Sequence, residues 1–418
     1  MTERTRCVVI GGGPAGMVTG LLLARAGVDV TVLEKHGDFL RDFRGDTVHP
    51  STLQLLDELG LGEQFAKLPQ SHLTQVRLPG ADGRTLIVGD LTRLKVRHPY
   101  IAMVPQWDLL ALLAKAAAEE PSFTLRMRTE ATDLIRVGDR VEGVRYRTEE
   151  GETGELRADL TIAADGRWSI AHRQPELHPR EYPVPIDAWW FRVPRRPDDE
   201  ATGLMPFAAQ GRFAVLIPRP DYFQIAYIGR KGIDAELRAR GIEAFRRDVA
   251  EAIPFLADRV DEIASMDDVK HLDVRLNRLL RWHLDGLLCI GDAAHAMSPV
   301  GGVGINLAVQ DAVAAATLLA EPLRGNGSAG RVTELDLARV HTRRLLPTVL
   351  VQWMQRLMHS AVVGPIVEGR RMGPPGPVLA LVSRFPQLSF VPAYLIGVGF
   401  RPEHAPPFAR RALSSAGR

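Results

Sequence analysis

Three short segments, far apart in the chain, place small residues where a phosphate or a flat ring would need room. The first reads Gly11-Gly12-Gly13-Pro14-Ala15-Gly16. Gly11, Gly13 and Gly16 follow the G-x-G-x-x-G order. Gly11 permits a tight turn, Gly13 lets the backbone approach a pyrophosphate, and Gly16 lets a helix pack closely on a strand. Amides at the start of that helix, with the positive end of its dipole, then face the phosphates. Glu34 lies 18 residues beyond Gly16, where a carboxylate can accept from ribose hydroxyls and would repel a 2′-phosphate. The bound dinucleotide is therefore read as something other than NADP. Lys35 follows directly, and Arg41 and Arg44 come next, before Gly45. Arg44 is a permanently charged planar donor suited to a pyrophosphate, or else a solvated loop arginine.

The second segment is Asp165-Gly166-Arg167-Trp168-Ser169. The third, Gly291-Asp292-Ala293-Ala294-His295, runs on through Pro299, Gly301, Gly302, Gly304, Asn306 and Asp311. Asp292 is placed to accept from a ribityl hydroxyl. The late glycines keep side chains away from a flat ring, and a helix is expected to begin near Ile305 and Asn306. Its N-terminus would stabilise the negative charge that gathers on the pyrimidine edge of a reduced flavin. Together the three segments point to FAD. His295 is read as a structural member of the third segment, and no catalytic base is named.

The elements that must position these residues follow from periodicity. Residues 6–10 and 28–33 read as buried strands around a helix over 17–25. Ser51 looks like the N-cap of a helix ending at Gly60. Residues 74–88 read as a hairpin turning at 79–83. A helix is expected over 106–120, and strands over 123–128, 133–137 and 141–147, the last two joined at Gly138-Asp139. Residues 175–220 are rich in Pro, Trp and Phe with little helical period, and 213–218 and 222–228 read as paired strands. A helix over 242–263 follows, then a buried strand over 287–290, helices over 309–320 and much of 334–359, and a link over 325–330. Trp190, Phe207, Phe213 and Tyr222 are candidates for lining a substrate pocket. Only alternate residues of a strand face one side, so some of these aromatics must be core.

Composition narrows the classes. The 418 residues carry 52 Lys and Arg against 50 Asp and Glu, a net charge of +2 that gives no drive toward nucleic acid. The two cysteines, Cys7 and Cys289, sit in apolar runs and read as buried free thiols. No metal-ligand spacing appears among the 12 histidines. No stretch is long and apolar enough for a membrane span, and the first residues lack a signal peptide's apolar core; a cytoplasmic protein is expected. The apolar run over 390–400, broken by Pro392, is expected to pack as a tail.

The chain resembles the single-component FAD aromatic hydroxylases, the family of para-hydroxybenzoate hydroxylase, from near Thr5 to near Ala320. The resemblance rests on the G-x-G-x-x-G segment, Glu34, Arg44-Gly45, Gln106, Asp165-Gly166-x-x-Ser169 and Gly291-Asp292-Ala-Ala-His295-x-x-x-Pro299. It implies that Glu34 binds the adenosine ribose, Arg44 the phosphates, Gln106 another part of FAD, and a main-chain group near Ala131 the adenine. Gly302, Val303, Gly304, Ile305 and Asn306 would line the flavin ring, and Asp165 would serve both FAD and NAD(P)H. One departure stands out: the arginine expected three residues after Ser169 is His172, with Arg173 next. NAD(P)H has no second glycine fingerprint and is implied to bind transiently; Lys35, His36, Arg41 and Arg44 supply positive charge.

The implied fold is α/β: a Rossmann-like FAD-binding domain of glutathione-reductase type, an inserted β-rich substrate domain and a C-terminal helical region. Residues 1–73, 98–174 and 271–330 would bind FAD, 74–97 and 175–270 the substrate, and 331–418 would form the helical region. The implied chemistry is NAD(P)H reduction of FAD, reaction with O2, and transfer of one oxygen atom through a flavin hydroperoxide to an aromatic or polycyclic small molecule, by a monomer or homodimer. A flavin-dependent halogenase, an isoprenoid-type flavin reductase and a flavin-free prenyl-protein escort are the alternatives. The segment Phe213-Ala-Val-Leu-Ile-Pro218 lacks both tryptophans of a halogenase's Trp-x-Trp-x-Ile-Pro.

Overall fold

The computed structural model describes residues 3–40, 46–79, 85–199, 204–209, 211–325, 331–370 and 384–411. Arg41, Arg44, Gly45, the hairpin turn at 80–83 and most of the 325–330 link lie outside the described residues.

Five parallel strands form the centre. β1 (Glu3–Ile10) leads through the glycine turn into α1 (Pro14–Arg25), which returns to β2 (Val30–Leu33). Pro14 opens α1 with its φ already helical, and Gly27 ends the turn beyond it at φ +77°. α1 is buried from Ala15 to Ala24, because it lies between the sheet and a second long helix. β3 (Phe123–Arg126), β4 (Thr153–Ala163) and β5 (Leu287–Cys289) complete the order β5-β4-β1-β2-β3. The winding direction reverses between β1 and β4. In such sheets the crevice at the carboxyl ends of the strands, at this reversal, is where ligands bind.

α2 (Gln106–Ala118) precedes β3 and packs on α1. The strands over 129–137 and 140–148 form an antiparallel meander on the first half of β4. β4 itself was absent from the sequence-based expectations. The first helix after β2 spans Pro50–Glu58 with His49 at its N-cap, which corrects the cap expected at Ser51; Pro50 takes the first helical position, and Ser51 lies one residue inside.

A second, antiparallel sheet runs in the order 205–209, 212–218, 222–230, 186–194, 270–272. Alternation along its strands gives it two faces. Trp189, Phe191, Phe223 and Tyr227 pack under Phe245 and Val249 of the helix Gly241–Ala252. Ile186, Ala188 and Phe213 face the other way, in one cluster with Val300 of the third glycine segment. Trp190 and Ile217 share that face and meet Met103 and Leu94. The helix expected over 242–263 stops at Ala252, two residues before Pro254, and 3-10 turns follow.

α3 (Gly304–Arg324) and α4 (Glu334–Met358) pack on each other. Thr333 and Asp336 close the start of α4 with reciprocal hydrogen bonds. The apolar tail forms α5 (Phe390–Gly397): Ala393 and Gly397 are buried, whereas Phe390, Val391 and Tyr394 are exposed. Both cysteines are buried and free.

Candidate active site

The carboxyl ends of β1, β4 and β5 bring the three glycine segments together. Gly11 leaves β1 at φ +99°, and a Cβ on it would lie 2.6 Å from the Ala164 carbonyl oxygen. The first segment therefore touches the turn that leads into Asp165. A Cβ on Gly291 would lie 3.3 Å from that of Ala15 and 3.2 Å from that of Ala308, so the third segment touches the first and α3. Gly16 passes so near β1 that a Cβ would come within 1.9 Å of the Gly11 oxygen. Around Gly13 the situation is opposite: a Cβ would meet nothing within 4 Å. There is open room in front of the α1 amides, and no side chain caps them.

Glu34 is buried at the tip of β2. Its carboxylate accepts from the Gly12 amide at 2.9 Å and the His36 amide at 3.0 Å. The Thr129 amide donates to the Glu34 carbonyl at 2.9 Å, which brings Ala131 beside the same strand end. Lys35 is exposed. Asp165 Oδ2 accepts from the Ile170 amide at 2.9 Å, whereas its buried Oδ1 has no partner among the described residues. Burial raises the Asp165 pKa, opposed by the Ser169 hydroxyl. His172 Nε2 sits 2.7 Å from the Ala293 carbonyl and ties the second segment to the third. Arg173 donates to the Thr132 carbonyl on the meander instead.

In the third segment, one Asp292 oxygen takes Arg167 at 3.3 Å. The Gly302 amide donates to Pro299 at 3.0 Å, closing a turn in which Gly301 and Gly302 have φ of +85° and +63°. A Cβ on Gly302 would fall 2.8 Å from the Thr47 hydroxyl, which donates to the Gly302 carbonyl. α3 starts at Gly304 after Val303, again with no side-chain cap. Asn306 Oδ1 accepts from the hydroxyls of Ser51 and Thr52, both at 2.8 Å. Deeper in α3, fully buried Asp311 accepts from the Gly291 amide, from His295 at 2.6 Å and from Arg344 at 3.0 Å. Burial alone would raise its pKa, but His295 and Arg344 hold it below the ordinary value. His295 is thus committed to a buried hydrogen bond beneath the crevice.

The residues present fit FAD. Two uncapped helix starts, open space at Gly13 and a buried oxygen awaiting a donor line one crevice at the reversal of the sheet. Its donors suit phosphates and its acceptors suit sugar hydroxyls. Gln106 opens α2, and its amide donates to Asp46. Thr47, His49 and Thr52, which sequence reasoning passed over, and Ser51, which it read as a helix cap, all hold the third segment.

The four aromatic candidates separate. Trp190 and Phe213 lie on the sheet face turned to the glycine segments, and the Trp190 indole N–H is buried without a partner among the described residues. Phe207 lies on the opposite face against Phe255, with ring centroids 5.7 Å apart; strand alternation removes it from the pocket. Tyr222 opens its strand beneath Arg192, whose guanidinium is 4.7 Å from the ring.

The FAD-binding-domain family matches residues 4–345. A 6-methylpretetramide 4-monooxygenase from Streptomyces rimosus is 34% identical over 362 residues, covering 85% of each chain. A 12-dehydrotetracycline 5-monooxygenase/anhydrotetracycline 6-monooxygenase from Streptomyces rimosus subsp. rimosus is 30% identical over 73% of this chain and 60% of its own length. The solved anhydrotetracycline hydroxylase from Streptomyces rimosus superposes with TM-score 0.72 at 22% identity, over 94% of this chain and 76% of that one. A flavin-dependent halogenase shares the fold at TM-score 0.74 and 21% identity, over 97% and 75%. Among the described residues no helix is long and apolar enough to cross a membrane. With its glycine segments assembled and its family matched over most of its length, the chain belongs to the FAD-binding monooxygenases, enzymes of the flavoprotein aromatic hydroxylase class.

Proposed function

We propose that this enzyme hydroxylates an aromatic polyketide of the pretetramide and tetracycline kind, with NAD(P)H and O2 as co-substrates. The convergence of all three glycine segments opposite the sheet face that carries Trp190 and Phe213 carries this reading. The relatives named for pretetramide and anhydrotetracycline support the substrate class.

FAD, when bound, takes two electrons from NAD(P)H and delivers one atom of O2 to the substrate ring. The chain's own residues do the rest. The amides of Gly13, Ala15 and Gly16, set at the start of α1 by Pro14, would hold the pyrophosphate, joined by Arg44 and Gly45. Glu34, with Lys35 beside it and Ala131 behind, would take the adenosine end, and Gln106, Asp165, Gly291 and Asp292 would take the remainder of the cofactor. Pro299 and Gly302 to Asn306 would hold the ring, and the α3 dipole would stabilise negative charge there. Trp190 donates its free N–H to a substrate oxygen, and the apolar cluster of Met103, Leu94 and Ile217 keeps water out. The same reading assigns residues 74–97 and 175–270 to the substrate side, and 1–73, 98–174 and 271–330 to the cofactor side.

The test is turnover of FAD-loaded enzyme with NADPH or NADH, labelled dioxygen and a panel of pretetramide-type substrates. Label in the product is expected. A yellow, reducible enzyme that gives only a bromide-dependent product, with no label incorporated, would overturn the reading.

A further inference from the structure

We propose that His49 is a proton-operated clamp: on reduction of the cofactor it takes up a proton and ties the glycine turn before α3 to the C-terminal helix α5. The ring is 0% exposed. Its Nδ1 lies 2.8 Å from the Ile396 carbonyl oxygen and its Nε2 lies 2.9 Å from the Gly302 carbonyl oxygen. Both partners only accept. A neutral imidazole has one N–H to give, and only the imidazolium donates from both nitrogens. The arrangement is thus that of the charged ring; in the neutral ring one contact sets a lone pair against a lone pair.

Burial pushes the His49 pKa below its ordinary value, and the two carbonyls pull the other way. Burial thus favours the neutral ring, which can donate to only one of the two carbonyls. The titratable groups on the elements around it are otherwise engaged. Asp46 before the 47–48 strand holds Arg219, Asp57 on the helix after His49 holds His98, and Asp311 on α3 holds His295 and Arg344. Tyr394 on α5 is exposed. None of these charged groups acts on His49, so a new negative charge near Gly302 meets a ring held by backbone carbonyls alone among the described residues. The clamp rests on the reading above, in which the flavin's pyrimidine edge meets Gly302 to Asn306. NAD(P)H supplies both electrons as hydride, the proton comes from solvent, and the only bond formed at His49 is N–H.

Closing this clamp joins a part of the chain inside the matched family region to a part outside it, since the family match ends at residue 345 and Ile396 lies beyond. His49 is a positioning residue; it holds the wall of the site and touches no reacting atom.

The experiment measures the midpoint potential of the FAD-loaded enzyme across neutral pH, in the wild type and in His49→Gln, which keeps a donor but cannot titrate. One extra proton per two electrons steepens the dependence by about 30 mV per pH unit. The wild type is expected to exceed His49→Gln by that amount. Equal slopes in two yellow, reducible proteins overturn the clamp. Should His49→Gln fail to fold, nitrogen NMR of labelled histidine in the wild type decides: a ring protonated on both nitrogens only after reduction supports the clamp, and a ring unchanged on reduction overturns it. Gly302→Val tests the flavin's location separately, because unchanged FAD affinity there would sink that reading while leaving the potentials uninformative about it.

Discussion

An unpartnered oxygen inside a protein costs roughly 1–3 kcal/mol, and Asp165 has one at its buried Oδ1. A cofactor hydroxyl donating there would recover that cost. Asp165→Ala should therefore weaken FAD binding about tenfold, or about 1.4 kcal/mol, in a fluorescence titration of apoprotein. Burial raises the Asp165 pKa, so the carboxylate gains a proton at a higher pH than a free one. FAD affinity should accordingly fall as pH drops through that raised value; a flat profile would show that Asp165 does not accept from the cofactor. On the substrate side, Trp190→Phe keeps the ring and removes the N–H, and an increase in KM of about tenfold is expected from one lost hydrogen bond. Some residues were readable in advance and some were not. Gly11, Gly16 and Glu34 act through backbone geometry at fixed spacing, which a sequence displays directly. Phe207 and Phe213 look alike in the sequence, and only the pairing of their strands decides which one faces the crevice. Thr47, His49 and Thr52 belong to no motif and gave no signal. Ser51 gave a misleading one, because a hydroxyl that resembles a cap serves Asn306 instead.

At the scale of elements, α3 is fixed from beneath by Asp311. Removing one member of a buried charge network leaves the others uncompensated, which typically costs about 3–5 kcal/mol. Asp311→Leu should lower unfolding stability by that order in urea denaturation and release FAD, since the Gly291 amide loses its acceptor. The start of α3 was legible because glycines give way abruptly to an apolar helical run. β4 was not. Its first half alternates, with Leu156, Ala158 and Leu160 buried, and its second half, from Leu160 to Ala163, is buried on both faces. A strand that passes from half-exposed to fully enclosed shows no single period.

For the molecule as a whole, Asp46, just before the 47–48 strand, and Arg219, just after the 212–218 strand of the antiparallel sheet, form a buried ion pair. Arg219 also donates to the Met103 carbonyl at 3.0 Å and reaches Gln224. Arg219→Met alone should cost about 3–5 kcal/mol, and Asp46→Leu with Arg219→Met should restore much of it, as apolar replacement of buried pairs often does; denaturation midpoints of the three proteins decide. Acid sensitivity has a second source. Burial lowers His283 and His359 to about 4. Unfolded, each would take up its proton near 6.5, so stability contributed by the neutral rings is complete above that pH and is lost progressively as pH falls toward 4. A melting temperature that falls across this window, and falls less in His359→Gln, is the expected result. The arrangement of strands also has a consequence for synthesis. β1 leaves the ribosome well before β5, yet both border the same crevice. A nascent chain carries its phosphate turn exposed, with nothing to seat a ring, until Arg324 has emerged. Pigment should therefore appear all at once when that point is passed, and chains stalled before it should be colourless rather than pale.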